Sequence, residues 1–163
     1  MVNALPAFRD MAIINSKPIY LFKKIQLLVL TLHNRFHTTY PELFSFHDIS
    51  SLSIFADNVI PTLLHHLKIL PLTLDNCTPR QRPIISGLKE DLRTGRETTF
   101  ERSFIFRAAA VDACEEIVRV ARGMEGWIRG ISAVEVDAYL WKVGKVGKLR
   151  DVVRFSDPNT VFF

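Results

Sequence analysis

The spacing of the apolar residues changes at Phe22, and that change constrains the fold more than any other feature of the chain. Before it, Met11 to Leu21 (MAIINSKPIYL) holds two short apolar segments around Asn15-Ser16-Lys17-Pro18. Asn, Ser and Pro are turn formers, so this stretch predicts a small β-hairpin with Pro18 at a strand start or edge. From there on Phe22, Ile25, Leu28, Val29, Leu32 and Phe36 recur at spacings of three and four. That is the apolar face of an amphipathic helix.

The helical period persists through the rest of the chain, punctuated by caps and breakers. A loop around Pro41 follows the first helix, and Asp48 is expected to cap a short helix running to Phe55. Asn58 is expected to cap the next, with Pro61 in its first turn, where a missing N–H costs little. That helix carries Ile60, Leu63, Leu64, Leu67 and Leu70, and Pro71 stops it. Asp57 is thereby placed at a helix–helix junction, beside free N–H groups and the positive end of a helix dipole. Ile84 to Arg93 reads as a helix ended near Gly95. Thr98 to Arg122 is the longest helical stretch, ended by Gly123 and Gly126. Ser132 and Glu135 form a capping box for a last helix containing Val136, Tyr139, Leu140 and Val143, whose end Gly144 and Gly147 weaken. The tail from Arg150 to Phe163 is expected to pack down or form a short strand. The fold class is therefore mainly α, about five helices with a small β element near the N-terminus, and no internal repeat.

Composition narrows the function classes. A length of 163 residues suits a single domain, and 48% apolar against 23% charged residues marks a globular chain. Only 7 glycines argue against a string of tight hairpins. The net charge of +4 favours phosphate-bearing ligands without demanding DNA. Cys77 and Cys114 form no CxxC pair and join no zinc-type cluster, which favours two thiols in a reducing compartment over a disulfide. The apolar run Ile25–Leu32 is far too short to span a bilayer, and Pro6 interrupts any signal-type segment. The expectation is a soluble intracellular protein with no membrane partner, cytoplasmic and with the nucleus also open. Oligomeric state is left open.

No GxGxxG, Walker, GxSxG, HExxH or HxE…CxxC pattern occurs, which removes several enzyme classes. Lys23-Lys24 are either solvated or hold a phosphate or carboxylate. Asp57, set among Phe55, Ala56, Val59 and Ile60, is either a junction residue or a carboxylate placed for acid, base or electrostatic work. Asp137 lies close to the edge of the last helix's apolar face and reads as either solvated or functional. His65 and His66 point about 100° apart, so one is packed and one exposed. The i, i+4 pair His33 and His37 lacks a third metal ligand. Trp127 and Trp141 are expected in the core or in a pocket wall, and Trp141 is placed to stack on a base.

Four blocks, in order, resemble the queuosine-salvage glycosylase family. They are FRD followed by a hairpin and LFKKIQLLV, then FHDISSLSIFADNVIP, then FRAAAVDACEEI, then ISAVEVDAYLW. The resemblance implies a helical fold like that of DNA glycosylases. It also implies hydrolysis of the N-glycosidic bond of queuosine 5′-monophosphate, which frees queuine for reuse in tRNA modification. No metal or organic cofactor and no stably bound nucleic acid are implied. Family members are longer, so the chain, read as one helical domain over 1–163, corresponds to a C-terminal half. Residue by residue, the resemblance makes Lys23, Asp57 and Asp137 the catalytic set. Phe55, Asn58, Arg107 and Trp141 are the substrate-binding candidates, Phe55 or Trp141 stacking on the flat deazaguanine. The competing reading is an inactive helical remnant or a module that binds nucleotide or nucleic acid.

Overall fold

The computed structural model of the chain describes residues 4–75, 78–158 and 160. Strands β1 (Met11–Ile14) and β2 (Lys17–Tyr20) pair antiparallel, with Ile14 opposite Lys17. Asn15 and Ser16 take φ of 51° and 62°, the double positive φ that a two-residue hairpin needs. The helices are α1 (Lys23–Phe36), α2 (Pro41–Phe44), α3 (Val59–His66), α4 (Gln81–Thr94), α5 (Phe100–Ala121) and α6 (Ala133–Val143). Short 3-10 turns join several of them. The mainly α expectation holds, with one short helix, α2, in what the sequence suggested was a loop.

Helix α5 organises the core because it contributes to three apolar clusters. Ala110, Cys114 and Val118 pack with Ile60, Leu63 and Leu64 of α3, Val136 and Leu140 of α6, and Ile54 and Ala56 of the segment before α3. Phe104 meets Ala12, Ile14 and Leu21 of the hairpin region. Phe106 meets Leu88 of α4, Leu72 and Phe155. The tail therefore packs down through Phe155, and Ser156 bridges to Glu97. The expectation for Val161-Phe162-Phe163 lies outside the described residues. So does half of any pairing between the two cysteines. Cys114 itself is a buried free thiol whose pKa burial pushes up to about 12. Phe155→Ala should lower the unfolding free energy by about 3–5 kcal/mol, read from urea denaturation, because it empties a fully enclosed site.

Several boundaries depart from expectation, each for a physical reason. No helix runs from Asp48 to Phe55. A 3-10 turn at Ile49–Ser51 leads into extended chain, held open because Ser53 N–H donates to Gln26 Oε1 and Phe55 N–H to Asp137 Oδ1. Helix α3 stops at His66, well before Pro71. Lys68 adopts φ 61°, and the N–H groups of Ile69 and Leu70 both donate to the Leu64 carbonyl, closing the helix early. Helix α4 begins at Gln81, with Pro83 in its first turn, and ends at Gly95 in the left-handed region. The Ser132–Glu135 capping box is formed as expected. Gly144 has a packing role: a Cβ there would stand 2.8 Å from the stiff Val59 side chain, so its absence lets α6 meet α3. Trp127, expected inside, is 84% exposed on the turn Trp127–Gly130 after α5 has ended. His65 is partly buried, edge-on to Phe106, and His66 is exposed.

Candidate active site

A cleft of about 530 Å³ opens where α1, the segment before α3, α6 and the tail meet. That volume lies in the range of small-molecule sites. Lys23 enters it from the first turn of α1, Asp57 from the residue pair before α3, and Asp137 from the middle of α6. Phe55, Asn58 and Trp141 also line it. Six of the seven catalytic and substrate-binding candidates thus share one cleft.

Asp57 is held from two sides. Its Oδ1 accepts the N–H groups of Val59 at 2.7 Å and Ile60 at 3.4 Å, so Asp57 itself serves the free N-terminus of α3. Asn58 was expected in that role, but its side chain makes no capping bond. Its Nδ2 donates to the Phe155 carbonyl at 3.0 Å, tying the cleft floor to the tail. Asp57 Oδ2 lies 3.6 Å from Lys23 Nζ, and both side chains are largely buried. Burial lowers the Lys23 pKa, Asp57 opposes that fall, and the Arg107 charge adds to it.

Asp137 is 7% exposed. Its pKa is raised to about 6, chiefly by burial; the Phe55 N–H bond and Lys23 pull it down while the Asp57 charge pushes it up. Two carboxylates in one cleft thus have different surroundings, the arrangement that separates acid–base roles in enzymes.

Arg107 does not line the cleft. It is fully enclosed behind it, donating through Nε to the Ala56 carbonyl at 2.8 Å and through Nη1 to Asp10 Oδ1 at 2.9 Å, with Nη2 on Asp10 Oδ2. The substrate-binding expectation for it is therefore corrected. A buried guanidinium needs a carboxylate and a carbonyl, and those partners lie 97 and 51 residues away in sequence. Sequence reasoning also passed over Lys145 and Arg154 in the cleft lining. Lys145 Nζ sits 4.5 Å from the Trp141 ring centroid, and Arg154 donates to the Gly144 carbonyl. Neither stands in a recognisable motif. Among the described residues no three His, Cys, Asp or Glu gather to hold a metal, and no helix is long and apolar enough to cross a membrane.

Fold and site together define a mainly helical protein whose chemistry-bearing groups converge on one carboxylate–lysine cleft. A family model described as queuosine salvage protein matches residues 1–163. The chain is 31% identical over 149 residues to a queuosine 5′-phosphate N-glycosylase/hydrolase of Sphaerobacter thermophilus, covering 89% of this chain and 40% of that protein. It is 28% identical over 141 residues to a protein of the same name from Dictyostelium discoideum, covering 85% and 38%. The chain belongs to the queuosine salvage protein family, and it spans about 40% of the length of these curated relatives.

Proposed function

We propose that this cleft hydrolyses the N-glycosidic bond of queuosine 5′-monophosphate and releases queuine. The observation that carries the reading is the convergence of Lys23, Asp57 and Asp137, from three separate sequence blocks, on one cleft. The names of both relatives supply the substrate class.

In the reaction, the bond between ribose C1′ and the base nitrogen breaks, and its electron pair leaves with the base, which takes up a proton from solvent, while the proton that Asp137 accepts from the attacking water is returned to solvent. Positive charge builds on the sugar as the bond stretches. Asp57 supplies fixed negative charge to that cation, since two N–H donors and Lys23 already hold its oxygens in place. Asp137 is the proton acceptor. A carboxylate of pKa about 6 is mostly ionised at neutral pH and is a stronger base than an ordinary aspartate. It takes a proton from the water whose oxygen bonds to C1′. Phe55 and Trp141 give the flat base an apolar wall, and Lys145 and Arg154 give the phosphate positive charge. The substrate is a small nucleotide, no stably bound nucleic acid takes part, and the cytoplasm is the proposed compartment.

The assignment of roles is tested by the pH dependence of queuine release from saturating queuosine 5′-monophosphate. Release should rise with pH through about 6 and level off above it, as Asp137 loses its proton. A rate that instead falls through that range would make Asp137 a proton donor and overturn this division of labour.

A further inference from the structure

We infer that Asp10 and Arg107, neither of which lines the cleft, are positioning residues that set Lys23 and Asp57 in one register. Both side chains are wholly enclosed and form a two-pronged ion pair. Each partner also holds one side of the site. Asp10 holds the start of α1: its carbonyl accepts the N–H groups of Leu21 at 3.0 Å and Phe22 at 3.1 Å, and its Oδ2 accepts that of Lys23 at 3.2 Å. Arg107 Nε holds the Ala56 carbonyl, one residue before Asp57.

Phe22 bears the mark of this fixation. It takes φ 51° at the head of α1, a left-handed conformation that a bulky residue adopts only where its surroundings impose it. The bonds to Asp10 on either side of it supply that imposition. Hairpin, α1, α5 and the segment before α3 thus meet at one ion pair, and the Lys23–Asp57 contact is the product of its geometry. A planar guanidinium pairs two-pronged with a carboxylate while its third nitrogen reaches a carbonyl, a fixed fork that a compact ammonium does not reproduce.

The inference rests on the proposed hydrolysis for its kinetic consequence but not for its structural one. The informative variant is the double change Asp10→Asn with Arg107→Gln, which removes both charges together and leaves no orphaned ion. Native hydrogen exchange should quicken at least tenfold at the Lys23 and Val59 amides and stay within threefold at Ala110 and Leu140 in the core. With queuosine 5′-monophosphate, kcat should fall at least tenfold while KM stays within threefold. Arg107→Lys should reproduce the kcat loss. Lys23 and Val59 amides as protected as before, or all four amides quickened alike, would overturn the positioning role. So would an unchanged kcat in a variant whose exchange is altered. If the wild-type chain releases no queuine, the hydrolysis reading fails, and the exchange result alone decides whether the ion pair sets the register.

Discussion

Asp137→Asn should lose queuine release by about 10²–10⁴-fold while gaining stability above pH 6. The gain follows from linkage. The folded-state pKa of Asp137 is raised from 3.8 to about 6, so between those values the folded chain holds a proton that the unfolded chain has released. Stability therefore falls as pH rises through that window, and the burial cost of the ionised group stands in full above it. Asparagine carries no charge, and its Oδ1 can still accept the Phe55 N–H. Chemical denaturation at pH 7.5 should place the variant above wild type by roughly 1–3 kcal/mol, a difference that vanishes near pH 4. A residue that is costly to the fold and needed for turnover is what a site placed for chemistry produces. A solvated aspartate would give neither effect.

The opposite outcome is expected at the ion pair behind the site. Arg107→Met or Asp10→Ala, made singly, leaves a fully buried charge without its partner. Such a loss costs about 3–5 kcal/mol, a large share of the ~5–15 kcal/mol that holds a domain of this size together. Thermal melts should show either variant unfolding far below wild type. The combined charge-free change should recover much of that loss, since no ion is then stranded. Equal destabilisation by the two singles and the double would mean that the charges do not act as a pair.

Features determined by neighbours in sequence were legible, and features determined by distant partners were not. The hairpin turn at Asn15-Ser16, the capping box at Ser132 and Glu135, and the end of α4 at Gly95 are all local, and each appears where the residues say. The end of α3 is not legible in the sequence because Lys68, with no glycine to announce it, takes the left-handed turn. Capping at the head of α3 was assigned to Asn58, yet Asp57, one residue earlier, reaches the free N–H groups, and the tail claims Asn58 instead. Helix α1 has an amphipathic pattern but holds no fully buried residue; it packs against the short α2 and the Pro6–Phe8 turn. In the cleft, Lys23, Asp57 and Asp137 were found through the blocks that contain them. Lys145 and Arg154 carried no signal, since surface-type cations give no periodicity. One clue was present throughout. Gln26 interrupts the apolar run of α1, and its amide ties Leu21 to Ser53, two residues before Phe55.

The central claim is that the two aspartates and Lys23 form one hydrolytic site. It is tested most directly by incubating the purified chain with queuosine 5′-monophosphate and quantifying free queuine by mass spectrometry, for wild type, Asp57→Ala and Asp137→Ala in parallel. The account predicts queuine from wild type and a loss of at least a hundredfold in each variant, with each still bound to the nucleotide and folded by circular dichroism. Queuine release that survives both substitutions would contradict it, as would a wild-type chain that binds the nucleotide and never cleaves it.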